Sequence, residues 1–493
     1  MTSPHDTYTS PLAARNASPE MLRIWSPRHK FNTWRRVWLA IAEAQQEATK
    51  DQDTPLVTNE QVEELRAVVE RGITDEELAR ASEIERDLRH DVMAHVHCLG
   101  ESCPAAKPII HLGCTSQDVV CNADLLAIRE SLTLIERKAI RVVLALADQA
   151  SKLGRLPTLA FTHYQPAQPT TVGRRCAQWA HDIEYWSSQT RAELATRRGF
   201  RGATGTQASF LTLFGDDPAA VDRFELAAMD RLKPGDPART FTLTGQTYPR
   251  VFDTFVLSDL AALASVLHKT ATDIRLLSNR KEIDEPFGSK QIGSSAMPYK
   301  RNPMKCERIC GLTRFVMNLV GNAYDTAATQ WLERTLDDSS NRRLSLPEAF
   351  LALDGSLDLM HQVASGLVVH EAMVRKNLTA ELPFLATENI LMEAVKLGGD
   401  RQDLHEKIRV HAQAAGMRVK SEGLDNDLID RLRADQAFQP VHHLLTEDQL
   451  LDPMKYVGRA VEQTERFLKD IVEPLREKYR NDPAAPETSD RGV

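Results

Sequence analysis

Over residues 122–152, Leu125, Ile128, Leu132, Ile135, Ala139, Val142 and Leu146 recur at alternating steps of three and four. That spacing predicts a helix with one unbroken apolar seam, suited to packing against other long helices. At 1.5 Å per residue, about 30 residues form a rod of roughly 45 Å. The alternation returns in Leu257, Leu260, Ala264, Leu267, Ala271 and Ile274, and again in Ile309, Leu312, Val316, Leu319 and Ala323. A fourth long helix is expected over 171–198. Several such rods in the middle of one chain predict an all-α fold around a central bundle of long helices. Seams of this length also serve contacts between subunits, so an oligomer is expected.

The flanks read differently. Residues 1–20 are polar and punctuated by proline, an arm more than an element. A helix with Trp34, Trp38 and Ile41 on one face follows over 31–49. Thr58 with Gln61, and Thr74 with Glu77, have capping-box spacing, and the second pair is expected to open a helix running through Arg89 to His97. Gly100, Pro104 and Pro108 then break the chain. Signals for β-structure are sparse, with 239–244 the best candidate for a short extended piece. Beyond Gly366 the helices shorten between Pro383, Gly398-Gly399, Gly423 and Pro440. The expected organisation is an N-terminal helical domain over 1–115, the bundle over 116–368, and a C-terminal helical domain over 369–493 whose residues 481–493 form a disordered tail.

Composition narrows the function. A chain of 493 residues can bury a large core. Its net charge of −8, with basic residues scattered over helical faces, gives no expectation of a nucleic-acid partner. No apolar stretch approaches the roughly 18 residues needed to cross a bilayer, and the N-terminus lacks the pattern of a signal peptide. Seven cysteines at irregular spacing read as reduced thiols with neither metal nor redox duty. A cytoplasmic protein is expected.

The candidate chemistry lies in loops and helix ends. Residues 288–307 join two helical segments with two glycines, Ser294-Ser295, Lys300, Asn302 and Pro303. The glycines let the loop bend, and Pro303 suits the first position of a helix. His163 is expected in a loop fenced by Pro157, Pro166 and Pro169, free to face a cleft with an imidazole, a group suited to proton transfer. Arg89-His90-Asp91 brings a cation, an imidazole and a carboxylate together. His95 and His97 further on lack the spacing of a helical zinc site. Thr115-Ser116 opens the first long helix with hydroxyls and backbone N–H groups able to hold a carboxylate or phosphate. Arg334, Arg342 and Arg343 with Ser339 make a plausible phosphate clamp. Each of these, taken alone, also reads as an ordinary polar loop, helix entry or charged turn.

Their combination is more specific. Residues 293–303, Gly-Ser-Ser-x-Met-Pro-x-Lys-x-Asn-Pro, resemble the signature loop of the fumarase/aspartase superfamily, whose members eliminate fumarate from a succinyl group. The arm 10–21, the run Arg89–His97, Thr-Gly-Thr-Gln-Ala-Ser at 204–209 and Arg-Thr-Leu-Asp-Asp-Ser-Ser-Asn-Arg-Arg at 334–343 resemble the adenylosuccinate lyase family of animals and fungi. The resemblance implies cleavage of adenylosuccinate to AMP and fumarate, and of the succinyl-carboxamide ribotide SAICAR to AICAR and fumarate. It implies a homotetramer whose active sites are shared among three subunits, with no metal and no organic cofactor. Ser294 is the implied base and His163 the implied acid. His90 positions His163, and Lys300 supplies positive potential, with Glu307 orienting Lys300 or His163. Thr115, Ser116, Gln246, Lys300 and Asn302 would hold the succinyl carboxylates. Arg15, Arg334, Ser339 and Arg343 would hold the phosphate, with Arg89, His90 and Asp91 on the nucleotide side. Thr162 and Arg308 complete the implied substrate contacts. One position departs from the family pattern: the arm arginine is usually followed by tyrosine, whereas this chain has Asn16, which keeps a polar tip and loses the ring. The alternatives are a sister lyase acting on argininosuccinate or aspartate, and a non-catalytic helical scaffold of the same fold.

Overall fold

The first two seams turn fully inward, as do Ile309, Val316 and Ala323 of the third, in the computed structural model, which describes residues 6–189, 196–235, 239–288, 290–446 and 452–480. The expected tail over 481–493 lies outside the described residues. The first rod, Ser116–Lys152, runs for 37 residues, about 55 Å. It begins earlier than the apolar periodicity because Thr115 N–H donates to Asp118, which closes the first turn. Val172–Ser188 and Asp337–Ser365 pack against it, Val251–Asn279 and Met304–Ala328 pack against Asp337–Ser365 and each other, and together the five enclose the largest core. The fold is all-α, as the periodicity requires, with three two-stranded sheets among the described residues as accessories.

Several expectations need correction. The fourth rod stops at Ser188, just past Trp186, its last core side chain. Thr196–Arg197 instead pairs in parallel with Arg239–Thr240. Val251–Asn279 is in fact long and apolar enough to cross a membrane by length and composition, but half of its apolar window is buried against neighbouring helices. Pro303 sits just before the helix Met304–Ala328 and not inside its first turn.

A second core joins Trp34, Trp38, Val62, Leu65 and Val92 to Phe200, Phe210, Phe224 and Met229, so the chain returns to the N-terminal helices after the first rod. The helix expected to run through Arg89–His97 is two helices, Asp75–Leu88 and Asp91–Ser102. Arg89 adopts a left-handed conformation with φ 52°, and the ring of His90 caps the second helix. His95 becomes a core side chain whose ring stacks 3.7 Å from that of Phe31, while His97 is exposed.

The arm also folds. Leu12–Asn16 forms a helical turn, and Pro19–Ile24 is a helix capped by Ser18. Ser18 donates from its hydroxyl to Asp354 at 3.1 Å, and Lys138 joins Asp354 and Asp358 at 2.5 and 2.8 Å. Gly355 makes the docking possible, since a Cβ there would stand 2.5 Å from the Asn16 carbonyl oxygen. A third, smaller core gathers Ile390, Leu404, Leu428 and Phe438 near the C-terminal end.

Candidate active site

The sequence-derived site residues fall into three groups on the chain. The first surrounds the start of the Ser116–Lys152 helix. His90 Nδ1 accepts from Met93 N–H at 3.4 Å, so the neutral ring carries its proton on Nε2, which faces Ser116 Oγ at 3.4 Å. Asp91 accepts from Val92 N–H and from Arg343 Nη2, both at 2.8 Å. Burial pushes the Asp91 carboxyl up, but the Val92 N–H, and then the Arg343 guanidinium, hold it below its ordinary range. Gln246 accepts from Arg334 Nη1 at 2.8 Å and donates to the Ala203 carbonyl at 3.0 Å. With the Gln117 amide turned so that its oxygen faces Arg334, the guanidinium gains a second acceptor at 3.2 Å. Arg334, Ser339 and Arg343 then line one wall of a cavity of about 270 Å³.

A buried frame fixes these side chains. Asp118 is fully buried and pairs with Arg198, and its Oδ1 also accepts from the backbone N–H groups of Arg201 and Gly202 at 2.8 and 3.1 Å. Arg198 in turn reaches the Gly245 carbonyl at 3.2 Å, so the helix start bearing Thr115 and Ser116 is tied to the segment bearing Gln246. On the other side Arg250 pairs with Asp338 at 2.7 Å. Arg342 binds Asp253 at 2.6 Å and Asp124 at 3.1 Å and also donates to Tyr248. Sequence reasoning missed Gln117, Asp118, Arg198, Arg250 and Lys30 of this region. Only Asp118 carried a local signal, its capping spacing from Thr115.

The second group is the His163 turn. It is not a loop but the tip of a β-hairpin, Pro157–Thr162 paired with Gln165–Thr171. Thr162 pairs with Gln165, which leaves His163 and Tyr164 as the two turn residues at φ 52° and 57°. Two left-handed residues in succession define the turn whose twist matches a hairpin, a position usually held by Asn-Gly. The base of the hairpin is firm: Arg175 donates to the Leu159 carbonyl at 2.7 Å, and Arg280 lies 4.7 Å over the Phe161 ring. Thr162 and His163 at the tip are exposed.

The third group is the loop before Met304–Ala328. Glu285 accepts from the N–H groups of Lys305 and Cys306 at 3.0 and 2.9 Å and so anchors the helix start. Asn302 donates to the Gly293 carbonyl at 2.8 Å and closes the loop on itself. Gly293 has to be glycine, because a Cβ would lie 2.1 Å from the Lys300 carbonyl oxygen. Ser294 Oγ accepts from Met297 N–H at 3.1 Å, while the Lys300 side chain is exposed. Glu307 approaches Arg275 at 3.9 Å and makes no hydrogen bond or ion pair with Lys300 or His163. Arg308 lies within electrostatic reach of Arg15; burial, and then that like charge, lower its pKa. Asn16 donates to the Pro11 carbonyl at 2.9 Å, serving its own turn.

Among the described residues, no hydrogen bond or ion pair joins the His163 tip, the Ser294 loop and the Arg343 cavity.

Comparison with known proteins supplies the family. A profile described as "Lyase" matches residues 13–318, and one described as "Adenylosuccinate lyase C-terminus" matches residues 383–467. The chain is 46% identical to the adenylosuccinate lyase of Saccharomyces cerevisiae, over 97% of this chain and 98% of that one. It is 47% identical to that of Schizosaccharomyces pombe, over 96% of each. Among solved structures, a fumarate lyase from Mesorhizobium sp. BNC1 superposes with a TM-score of 0.78 at 21% identity, covering 94% of this chain and 99% of the other. The 3-carboxy-cis,cis-muconate lactonizing enzyme of Pseudomonas putida gives 0.78 at 25% identity, covering 95% and 99%. With seams, signature loop, arginine-rich turn and near full-length similarity in agreement, the chain belongs to the adenylosuccinate lyase family and is a carbon–nitrogen lyase.

Proposed function

We propose that this lyase releases fumarate from adenylosuccinate to give AMP, and from SAICAR to give AICAR, in purine biosynthesis. The observation that carries the reading is the Arg334–Ser339–Arg343 cavity, whose guanidinium groups and hydroxyl suit a nucleotide phosphate. A sister lyase acting on aspartate would have no phosphate to place there.

In the proposed elimination, Ser294 as alkoxide takes the proton from the carbon beside a succinyl carboxylate. The electron pair of that C–H bond forms the fumarate double bond, the carbon–nitrogen bond breaks, and His163 protonates the departing nitrogen. A serine hydroxyl is a weak base unless its anion is stabilised, and the Met297 N–H that already donates to Ser294 Oγ is a fixed dipole aimed at that charge. Lys300 adds positive potential. Thr115, Ser116, Gln246, Lys300 and Asn302 are assigned to the carboxylates, where charge builds as the proton leaves. Arg15, Arg334, Ser339 and Arg343 are assigned to the phosphate, and Arg89, His90, Asp91, Asn16, Thr162 and Arg308 to the rest of the substrate. His90 and Glu307 are assigned to orienting the acid and the base side.

That no hydrogen bond or ion pair joins the three groups on one chain, among the described residues, is in keeping with a homotetramer in which each site is assembled from different subunits. Exposed apolar side chains on the long helices, among them Phe255, Phe315 and Tyr324, fit such contacts. The working units are proposed as 1–115, 116–368 and 369–493, with segment 200–232 of the middle unit packing on the first. Seven free cysteines suit a reducing compartment, and a cytoplasmic location is proposed. The test follows fumarate absorbance with adenylosuccinate, argininosuccinate and aspartate in parallel. Turnover of adenylosuccinate alone is expected, and turnover of either other compound in its place would overturn the reading.

A further inference from the structure

We infer that Lys30 is a further phosphate-binding residue of this site, an ammonium set to meet the dianionic end of the nucleotide beside Ser339 and Arg343. The inference rests on the reading of the Arg334–Ser339–Arg343 cavity given above. Lys30 sits in the first turn of the Pro27–Thr49 helix, which Ser26 caps by accepting from His29 N–H at 3.2 Å. That turn contributes His29 and Lys30 to the lining of the same cavity as Ser339 and Arg343.

The charge pattern around the cavity distinguishes Lys30 from its neighbours. Arg343 has Asp91 at 2.8 Å, Arg250 has Asp338 at 2.7 Å, and Arg334 has Asp338 at 3.6 Å. Arg342 is saturated by Asp253, Asp124 and Tyr248. Lys30, by contrast, makes no hydrogen bond or ion pair among the described residues. Its Nζ lies 5.2 Å from the centroid of Phe31 and 4.8 Å from that of Trp34. An ammonium held half-buried against aromatic faces, without a carboxylate in contact, is a costly arrangement unless an anion completes it. Burial, and then the Arg343 charge, hold its pKa below the ordinary lysine value, which an arriving dianion would reverse. Two further donors on the cavity wall, Arg250 Nη1 and Arg334 Nε, also find no acceptor among the described residues. The bland alternative is that only the aliphatic stem matters, as packing for Trp34.

Lys30→Met keeps the stem and removes the charge, and Lys30→Arg keeps the charge. Both are compared with wild type and Arg343→Ala in the full-length protein, by initial rates of fumarate release from adenylosuccinate and by competitive inhibition with inorganic phosphate. Lys30→Met is expected to raise both the KM and the phosphate Ki by about 10- to 100-fold, with kcat within about 3-fold. Lys30→Arg is expected to restore both to within about 3-fold of wild type. The alkaline fall of kcat/KM should also move to higher pH in Lys30→Arg, because arginine stays charged. The groups whose own charge bears on Lys30 are Asp124, Arg343, Asp91, Glu85 and His95. If Lys30→Met leaves KM and Ki unchanged while Arg343→Ala raises them, the inference fails and the cavity reading stands. If neither variant moves them, the cavity reading falls and the inference with it. Should Lys30→Met not fold, an unshifted alkaline limb in Lys30→Arg overturns the inference.

Discussion

Two adjacent arginines should respond in opposite ways to the same truncation. Arg342 is buried, donates to Asp253 at 2.6 Å and to Asp124 at 3.1 Å, and also engages the Tyr248 hydroxyl. Replacing it with alanine strands the buried Asp253 carboxylate and takes a partner from the half-buried Asp124, a loss of about 3–5 kcal/mol. Folded domains are stable by only about 5–15 kcal/mol, so Arg342→Ala should lose a large share of its stability and unfold at a much lower urea concentration. Arg343 has a side chain 56% exposed, and its single ion pair with Asp91 is largely screened by solvent. Its removal should change stability by less than about 1 kcal/mol. The same guanidinium borders the cavity, however, and a lost charged hydrogen bond to substrate is worth about 1.5–3 kcal/mol. That corresponds to a rise in KM of about 10- to 150-fold, with kcat falling much less. Urea unfolding followed by circular dichroism reads the first effect, and fumarate release against adenylosuccinate concentration reads the second. Comparable destabilisation in both variants, or an unchanged KM in Arg343→Ala, would refute the reasoning.

Other expectations follow from single contacts. Gly293→Ala places a Cβ against the Lys300 carbonyl and should lower kcat by an order of magnitude or more. Because the loop is largely exposed, its melting temperature should stay within about 2 °C of wild type, and unaltered turnover would remove the constraint. Asn302→Ala releases the bond that closes the loop and should speed proteolytic cutting over 285–302, with AMP plus fumarate restoring protection; equal cutting with and without ligand would count against a closing loop. His95 is pushed down to about 4 by burial, then by Arg35 and Lys30. The unfolded chain therefore takes up a proton there first, and stability should fall as pH drops from about 6.5 to about 4, by roughly 3 kcal/mol. Denaturant unfolding at several pH values should show a shallower acid slope in His95→Gln, and an unchanged slope would contradict the assignment.

What the chain revealed in advance, and what it did not, follows from the range of the interactions involved. The seams from Leu125 to Leu146 and from Leu257 to Ile274 were legible because a helix repeats its buried face at fixed spacing. The Ser294 loop was legible as an ordered run of glycines, hydroxyls and Lys300. The break at Arg89-His90 was not, since neither residue is a helix breaker and the imidazole replaces the usual capping side chains. The hairpin carrying His163 was hidden because His163-Tyr164 occupies a turn that normally announces itself with Asn-Gly. The return of Phe200, Phe210 and Phe224 to the N-terminal core is tertiary, and local spacing carries no trace of it. Arg198 and Arg250 were likewise invisible, since their partners Asp118 and Asp338 stand 80 and 88 residues away.

The central claim is that Ser294 and His163 form one acid–base unit drawn from different chains. Ser294→Ala and His163→Ala should each fold, bind substrate and lose nearly all turnover, since positioned proton transfer contributes on the order of 10²–10⁴-fold per group. The decisive measurement mixes the two inactive variants, exchanges their subunits, verifies the mixed tetramers by mass spectrometry and follows fumarate release. In a random equal mixture about a quarter of the sites hold both intact residues, so about a quarter of wild-type activity should return. Verified mixed tetramers with no recovered activity would assign both residues to the same chain and contradict the account.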